Sequence, residues 1–417
     1  MKFAIQALLS SCVHQGSLTL ELPDGERLIA GDGSGKRLTL RLADSRACRE
    51  LVLNPEMAFG ELYTDGRLTV TGGSIYDVLD LLGHNLHDLV PPQMGRVRHA
   101  LRAAFDRWTR RNSERLSRNN VHHHYDIDDR IYSLFLDRDR QYSCAYFESE
   151  GQTLEEAQLA KKRHIAAKML IRPGASVLDI GCGWGGLALY LSDLCEADVT
   201  GLTLSPEQLK VAERRATEKK LAARVHFRLQ DYRALESTFD RIVSVGMFEH
   251  VGRKCYDAFF DVIRRSLKDE GVAVLHSIGR LDGKSPMNPW FAKYIFPGSY
   301  VPSLAEVLPS IEKSGLIVTD IEILRLHYAD TLAAWRRRFL DHRDEAAGVL
   351  GDRFCRMWEF YLASAEAGFR YGGLMVFQIQ LAKKLNIVPR TRNYMIQEET
   401  RLRQLEQASA TRPMAAE

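Results

Sequence analysis

Several features that would narrow the function at once are missing from this sequence. It has no CxxC pair and no cysteine–histidine cluster with zinc spacing, so it predicts no metal site. Its seven cysteines are odd in number and follow no pattern, which is typical of a reducing cytosol and argues against a disulfide scaffold. They stand at positions 12, 48, 144, 182, 195, 255 and 355.

Long apolar runs and an excess of one charge are also missing. No run approaches the roughly 20 residues needed to cross a bilayer. The opening residues, MKFAIQALLSSC, predict an amphipathic helix rather than a lipoprotein signal, because Gln6 interrupts a short apolar run. Since 57 basic residues face 54 acidic ones, attraction to an anionic partner must come from local clustering. The composition, with 45% hydrophobic and 27% charged residues, indicates a soluble globular protein.

The pattern along the chain divides it into four segments. Residues 1–90 show strand-like alternation and glycine-rich turns, which predict a small α+β domain for lipid contact or dimerisation. Residues 91–120 predict a basic helical linker, and residues 121–397 a catalytic domain. Residues 398–417 predict a polar tail with a frayed helix.

The linker is rich in arginine. Eight arginines lie between positions 96 and 118, and Val97, Leu101, Phe105 and Trp108 follow helical spacing on one side. Such a helix can lie on an anionic membrane surface. A solvated linker helix docked on a domain is an equal alternative. No motif supports nucleic-acid binding, so no nucleic-acid partner is predicted.

From about residue 170 the sequence alternates between short β-rich runs and amphipathic helical stretches. This alternation predicts an α/β fold with a doubly wound, mainly parallel sheet. The predicted strands include SVLDIG, DVTGLTL, RVHFRLQD, DRIVSVGMF and GVAVLHSIG, with GLIVTDIEILRLHY and LMVFQIQLAKK completing the sheet.

The segment VLDIGCGWGG predicts a nucleotide-type site between a strand and a helix. Gly181, Gly183 and Gly186 satisfy GxGxxG, which alone is a weak signal. A dinucleotide site needs a carboxylate after the second strand, and GLTLSPEQ offers Thr203, Ser205 and Gln208 around that position instead. The pattern therefore favours S-adenosylmethionine over NAD.

Three further side chains suit that cofactor. Asp179, taken to lie in the turn, would orient backbone donors or meet a cationic amino group. Asp231, after the third strand, would accept from an adenine amino group, and Tyr232 would stack on the ring. The alternative for each is a surface turn residue.

Eight ordered blocks carry a resemblance to a known family over about residues 120–390. Together they are similar to the cyclopropane-fatty-acyl-phospholipid synthases, which use S-adenosylmethionine and have the class I methyltransferase fold. Residues 1–90 resemble the extra domain of the bacterial phospholipid-acting members. The blocks are HHHYDIDDRIYSLFLD, YSCAYF, VLDIGCGWGG, GLTLSPEQ, SVGMFEHVG, HSIG, WFAKYIFPGSYVPS and HYADTLAAW.

The resemblance implies a reaction and its residues. A cis double bond of a phospholipid acyl chain attacks the sulfonium methyl, and the carbocation loses a proton to bound bicarbonate and closes to a cyclopropane. The residues that match the bicarbonate pocket are Cys144, Glu249, His276, Ile278 through its backbone, and Tyr328. Those that match cofactor contacts are Tyr142, Ser143, Gly181, Gly183, Thr203, Leu204, Gln208, Asp231 and Tyr232. The implied partners are membrane phospholipids with unsaturated chains and a second copy of the chain, at the cytoplasmic face of the membrane.

The chemistry suggests a role for several of these side chains. His276 and Tyr328 would donate to the anion, and Glu249 would accept its hydroxyl or act as the base itself, staying ionised beside the sulfonium. Cys144 would be a weak donor rather than a nucleophile, and His250 would point away and support the loop. Candidates for cation–π stabilisation of the carbocation are Tyr142, Tyr146, Phe147, Phe248 and Tyr328.

Three other functions remain open at this level. A related enzyme would leave the methyl as a branch on the acyl chain, or would methylate a lipid headgroup amine. A non-catalytic protein would keep the cofactor pocket as a scaffold and bind lipid, although the intact set of Glu249, His276 and Tyr328 argues against it.

Overall fold

The structure is a computed structural model that describes residues 1–86, 129–283 and 285–410. The predicted arginine-rich linker lies outside these described residues. The N-terminal unit contains α1 (Lys2–Cys12), β1 (Ser17–Glu21), β2 (Arg27–Ala30), β3 (Arg37–Leu42), α2 (Ser45–Leu53), α3 (Pro55–Thr64), β4 (Leu68–Thr71) and α4 (Ile75–Leu86).

The N-terminal unit is built on a four-stranded sheet in the order β2-β1-β3-β4. Alternate residues such as Leu18 and Leu20 on β1, and Leu38 and Leu40 on β3, are buried, as the strand pattern predicts. Asp44 caps α2 by accepting from the Ala47 N–H at 2.8 Å. The α+β character predicted for this segment is present in the structure.

The second unit holds the larger sheet. Its first elements are α5 (Asp129–Phe135), α6 (Leu154–Met169), β5 (Ser176–Ile180), α7 (Gly186–Cys195), β6 (Asp198–Thr203), α8 (Pro206–Glu218), β7 (Val225–Leu229) and β8 (Phe239–Val245). They are followed by α9 (Tyr256–Ser266), β9 (Leu267–Arg280), α10 (Pro289–Tyr294), α11 (Leu304–Ser314), β10 (Ile317–Ile323), α12 (His327–Asp341), α13 (Arg343–Tyr371), β11 (Leu374–Ala382) and α14 (Asn393–Ala410).

The sheet has seven strands in the order β10-β11-β9-β8-β5-β6-β7. Strands β9 to β7 pair in parallel, and β11 is antiparallel to both of its neighbours. Helices α6, α7, α8 and α14 pack on one face, and α9 and α11 on the other. This is the predicted doubly wound, mainly parallel sheet. From β5 the chain continues to β6 and β7 on one side of the sheet, and then returns to β8 and β9 on the other side. A ligand crevice is expected at the carboxyl ends of β5 and β8, where this direction reverses.

The C-terminal segment differs from the prediction. The predicted boundary at residue 398 falls inside α14, and α14 packs on the catalytic unit rather than fraying. Leu402 is fully buried, and Glu406 pairs with Arg163 of α6 and accepts from the Tyr190 hydroxyl at 2.7 Å. The polar residues looked solvated in sequence because their charged partners are distant along the chain.

The two units pack against each other around helices α3, α10 and α13. A Cβ on Gly60 of α3 would lie 2.6 Å from the Trp290 ring of α10 and 2.7 Å from the Phe360 ring of α13. At the rim, Glu61 accepts from Lys293 at 2.6 Å and from the Tyr294 hydroxyl at 2.8 Å. The N-terminal unit therefore supports α10, whose residue Phe291 borders a cavity of the second unit.

Candidate active site

A cavity of about 150 Å³ lies at the carboxyl ends of β5, β6 and β8. The loop after β5 has positive φ at Gly181 (83°) and Gly183 (54°), and a Cβ on Gly181 would lie 2.8 Å from Met247. The structure brings all ten predicted cofactor residues around this one cavity. They are Tyr142, Ser143, Asp179, Gly181, Gly183, Thr203, Leu204, Gln208, Asp231 and Tyr232.

Asp179 lies in strand β5 and not in the turn, which corrects the position expected from the sequence. Its carboxylate is buried, and within the described part of the chain Oδ2 has no hydrogen-bond partner. Burial raises the pKa of Asp179 to about 7, and the nearby Lys161 ammonium acts in the opposite direction. An unpartnered carboxylate oxygen here suits a cationic amino group.

Sequence reasoning missed Lys161, which bonds two residues of the cavity wall. Its Nζ donates to Gln141 Oε1 at 2.6 Å and to Ser143 Oγ at 2.9 Å, and burial lowers its pKa to about 8. In LAKKRH it looks like a solvated basic run, but α6 is buried on nearly all sides. Lys161 thus fixes the Ser143 hydroxyl at the cavity wall.

The first cavity is also lined by two hydrogen-bonded pairs, Thr203–Gln208 and Asp231–Arg233. Thr203 Oγ1 donates to Gln208 Oε1 at 2.9 Å, which turns the Gln208 amide so that its nitrogen points away from Thr203. Asp231 pairs with Arg233 through Nε at 2.9 Å and Nη2 at 2.7 Å. Arg233 also borders the cavity and was not foreseen, so any acceptor role of Asp231 is shared with this ion pair.

A second cavity of about 320 Å³ adjoins the first. All five residues predicted for the anion pocket border it: Cys144, Glu249, His276, Ile278 and Tyr328. Tyr142, Ser143, Gly246 and His250 border both cavities. Groups held in the two cavities would therefore meet along this shared edge.

Glu249 lies in the turn after β8, at the boundary of the second cavity. Its Oε1 accepts from the Ile278 N–H at 2.6 Å, whereas Oε2 is buried and has no partner among the residues that the structure describes. Burial raises the pKa of Glu249 to about 7, against the Ile278 hydrogen bond. In the protein alone the carboxyl group is thus poised between its two forms, and its ionisation beside a sulfonium stays a prediction. The Ile278 N–H contributes by orienting Glu249.

His276 lies on β9 opposite Val245, the last residue of β8. It is 2% exposed, and its Nδ1 lies 3.1 Å from Gln378 Nε2. Burial, reinforced by the Lys161 and Lys168 charges, lowers the pKa of His276 well below its ordinary value. The ring is therefore neutral at physiological pH.

Cys144 is 1% exposed, and its thiol donates to the Ala145 carbonyl at 3.2 Å. Burial raises the pKa of this thiol far above its ordinary value. A thiolate is the nucleophilic form of cysteine, so a buried neutral thiol is unsuited to covalent catalysis.

His250 corrects one expectation. It borders both cavities instead of pointing away, and its Nδ1 lies 3.0 Å from Ser299 Oγ. Burial lowers the pKa of His250 to about 4, so this ring is also neutral. Glu249 and His250 are consecutive residues of a 3₁₀ turn, and both side chains border the second cavity.

Only two of the five aromatic residues predicted to stabilise the carbocation line a cavity in the described structure. Tyr142 and Tyr328 border the second cavity, whereas Phe248 stacks on Tyr256 and Tyr146 stacks on His164. Tyr146, Phe147 and Phe248 do not line either cavity among the described residues. The structure adds Phe291, Phe296, Tyr361 and Phe369, which come from α10, the loop after it and α13.

Comparison with known proteins shows where this architecture recurs. The family model described as mycolic acid cyclopropane synthetase matches residues 112–379. A cyclopropane-fatty-acyl-phospholipid synthase of Escherichia coli K12 is 42% identical over 260 residues, which span 62% of this chain and 66% of that protein.

Two further proteins cover the chain differently. A probable fatty acid methyltransferase of Pseudomonas putida is 32% identical over 88% of this chain and 92% of its own length. The solved mycolic acid cyclopropane synthase CmaA1, in complex with SAH and CTAB, is 33% identical with a TM-score of 0.61, over 63% of this chain and 97% of that one.

These matches confirm the predicted fold class, and they confirm the enzyme class as an S-adenosylmethionine-dependent transferase. The family model covers more than half of the chain and includes both cavities up to β11. The chain therefore belongs to the mycolic acid cyclopropane synthetase family.

Proposed function

We propose that this protein transfers a methylene group from S-adenosylmethionine to the cis double bond of an unsaturated phospholipid acyl chain, which becomes a cyclopropane. One observation carries the proposal: the glycine-loop cavity opens along a shared edge into an apolar cavity that holds the buried, unpartnered Oε2 of Glu249. A polar atom left unpaired in an apolar site indicates a ligand that is both apolar and locally polar.

The residues of the first cavity fit S-adenosylmethionine. The unpartnered Asp179 Oδ2 suits its ammonium group, and the Gln208 amide nitrogen is turned to donate to a ribose hydroxyl. Gly181 and Gly183 allow close approach of the backbone. S-adenosylmethionine supplies an electrophilic methyl group when it is bound. Tyr142, Ser143 and His250, which border both cavities, would hold that group at the shared edge.

The second cavity suits an alkene and the cation that forms from it. Its wall is mostly aromatic and aliphatic, which excludes water from a weak nucleophile and from a carbocation that water would trap. The ring centroids of Tyr328 and Phe369 lie 4.7 Å apart at this wall, and aromatic rings near a cation stabilise its charge. The neutral state of His276 and His250 avoids repulsion of the sulfonium.

The polar residues of this cavity also fit bicarbonate. His276 and the Tyr328 hydroxyl are donor groups, and Glu249 Oε2 is an acceptor for a hydroxyl. Bicarbonate supplies a proton acceptor beside the new methyl when it is bound. The same carboxylate is the alternative base. Turnover in carefully degassed, bicarbonate-depleted buffer separates the two, since unchanged rates would assign the proton to Glu249.

The function is tested by expressing the chain in a host with unsaturated phospholipids and analysing the lipids by mass spectrometry. Ring closure adds one methylene to the acyl chain and removes the double bond. Methylation of a headgroup amine adds the same mass to the polar part, and an unchanged lipid profile would indicate a binding protein.

A methyl branch on the acyl chain is the second candidate. The relative that covers 88% of this chain is named a probable fatty acid methyltransferase, so its match includes the N-terminal unit. Branching and ring closure share the methyl transfer and differ in the fate of the carbocation. Ozonolysis and proton NMR of the modified chains distinguish a ring from a branch.

Access to a bilayer substrate requires contact with the membrane. No helix among the described residues is long and apolar enough to span a membrane. We propose peripheral docking at the cytoplasmic face, as a homodimer, helped by the arginines at positions 96 to 118. Replacing Arg102, Arg107, Arg110 and Arg111 by glutamine should reduce cosedimentation with anionic vesicles at low salt. Lysine replacements are the control and should retain binding, and full binding by the glutamine variant would contradict the proposal.

A further inference from the structure

A series of hydrogen-bonded polar side chains leads from His276 across β11 to α6, away from both cavities. It uses the buried His276, Gln378 and Lys168, and it ends at the partly exposed Glu322 of β10. The three residues nearest the cavity are each exposed by 2% or less. Buried polar groups of this kind need a structural or chemical reason, because isolated from partners they cost free energy.

We propose that Gln378, oriented by Lys168, is a positioning residue that holds His276 in the tautomer with the proton on Nε2. The remaining ring N–H then serves as the donor in the second cavity. The inference rests on the proposed function for its catalytic meaning, but the tautomer itself is a property of the protein alone.

The sheet register places the two side chains together. Gln378 on β11 is the direct cross-strand partner of His276 on β9, and Gln378 Nε2 lies 3.1 Å from His276 Nδ1. Because directly paired residues in an antiparallel sheet lie on the same face, this contact is set by the fold.

Lys168 decides which way the Gln378 amide faces. Its Nζ lies 2.7 Å from Gln378 Oε1. An ammonium group only donates, so the amide oxygen must face Lys168 and the amide NH₂ must face His276. The NH₂ group also only donates, so His276 Nδ1 must accept. A neutral imidazole that accepts at Nδ1 carries its proton on Nε2.

The charge on Lys168 is supported from the far side. Glu322 forms an ion pair with Lys168 and also lies 2.7 Å from His164 Nε2, while His164 Nδ1 contacts Glu399 of α14. The Lys168 and His164 cations hold the pKa of Glu322 at about 2, despite its burial. Burial lowers the pKa of Lys168, and the ionised Glu322 acts in the opposite direction by favouring the ammonium form. The ammonium form in turn fixes the orientation of the Gln378 amide.

The tautomer can be read directly by NMR. In protein labelled with ¹⁵N-histidine, long-range ¹H–¹⁵N correlations distinguish Nε2–H from Nδ1–H rings. The signal of His276 among the 13 histidines is assigned by its loss in His276→Gln. Wild-type protein at pH 7 should show Nε2–H, and an Nδ1–H spectrum would overturn the proposal even if Gln378→Glu does not fold.

Gln378→Glu replaces the amide NH₂ that donates to His276 Nδ1 by a carboxylate oxygen, which can only accept. The carboxylate still accepts from Lys168 but requires a proton on His276 Nδ1, so the tautomer should switch to Nδ1–H. Gln380→Glu is the matched control, because Gln380 lies two residues along the same strand, is also 1% exposed, and bonds Tyr394, Thr319 and the Lys168 backbone carbonyl, but neither His276 nor the Lys168 ammonium. The control should keep Nε2–H, and a Gln378→Glu spectrum that also kept it would refute the inference.

The catalytic consequence is separable from the tautomer. In Gln378→Glu we expect kcat/KM for bicarbonate to fall by about 10- to 100-fold, the usual effect of losing an orienting partner. The Kd for S-adenosylmethionine should not change, since Gln378 borders neither cavity in the described structure. If lipid analysis finds no cyclopropane, the proposed function fails while the NMR result still decides the tautomer.

Discussion

Glu249 is the residue at which stability and function oppose each other most directly. One carboxylate oxygen is held by the Ile278 N–H, and the other is buried without a partner among the described residues. Such an arrangement lowers the stability of the unliganded protein. The same oxygen is free to meet a ligand hydroxyl or a proton, so the cost has a functional use.

The substitution Glu249→Gln should reduce turnover by about 10²- to 10⁴-fold, because the acceptor oxygen or base is lost while the shape is kept. Steady-state assays with S-adenosylmethionine and unsaturated vesicles measure the loss. The exposed Glu207→Gln is the control and should retain wild-type turnover, since its side chain is 72% exposed. Wild-type turnover in Glu249→Gln would remove this residue from the mechanism.

The raised pKa of Glu249 also predicts a pH dependence of stability. Its pKa is about 7 in the folded protein and near 4.5 when unfolded, so between these values the folded state binds more protons. The free energy of unfolding should therefore fall as pH rises through this window, by about 3 kcal/mol in total for this group. Glu249→Gln should melt at a higher temperature than wild type at pH 8. The difference should vanish below pH 4.5, and calorimetry across this range tests the sign.

Cys144 is expected to matter for shape and polarity. Cys144→Ser should keep more than about a tenth of the wild-type turnover, because a hydroxyl is a similar small donor and the thiol is not a nucleophile here. Iodoacetamide at pH 8 should react with the protein without labelling Cys144, as peptide mass mapping can show. Complete loss of activity in a folded, cofactor-binding serine variant would contradict this assignment.

Helix α14 shows how an element can be misjudged from its own residues. Its sequence is polar, yet its charges meet buried partners on α6 and α7. Helix α6 has the complementary character, since its buried residues include Lys161, Arg163 and Lys168. Neither helix has a strong apolar stripe, so periodicity alone could not show that they pack together.

The packing of α14 predicts a contrast between two leucines. Leu402→Ala should lower the free energy of unfolding by about 2–4 kcal/mol, because this side chain is fully buried in the core of the sheet. Leu405→Ala is the matched control on the same helix and should cost less than about 1 kcal/mol, since Leu405 is 37% exposed. Chemical denaturation measures both, and equal effects would mean that α14 is not docked as described.

At the scale of the whole molecule, the N-terminal unit supports the wall of the apolar cavity. Gly60 of α3 lets Trp290 approach, and the next residue of α10, Phe291, lies at the cavity. A change in the small sheet domain can therefore reach the site without touching any catalytic residue.

A methyl group at Gly60 tests this arrangement. Gly60→Ala should destabilise the protein by about 1–3 kcal/mol and lower turnover, because the new Cβ overlaps two buried rings. Gly348→Ala places the same change at an exposed position of α13, where nothing lies within 4 Å, and should leave stability equal or raised by up to about 1 kcal/mol. Thermal melting and turnover assays on both variants test this prediction. If Gly60→Ala changed neither the melting temperature nor the turnover, the two units would be loosely packed.

The sequence by itself determined the parts of this protein that depend on local pattern. The alternation of strand and helix patterns predicted the sheet, and the glycine-rich loop predicted the cofactor cavity. The ordered motifs identified fifteen residues that line two adjoining cavities in the structure. These signals are local because a strand end, a tight turn and a parallel register constrain only neighbouring residues.

Only the tertiary structure decided which distant polar groups meet. Gln378 faces His276 because β11 and β9 pair antiparallel, and Lys168 reaches Gln378 because α6 crosses that face of the sheet. The buried state of Lys161, the docking of α14 and the turn that brings His250 to the cavities have the same origin. Hydrogen-bond partners and burial are set by contacts between residues far apart in the chain, and those contacts exist only after the sheet has assembled.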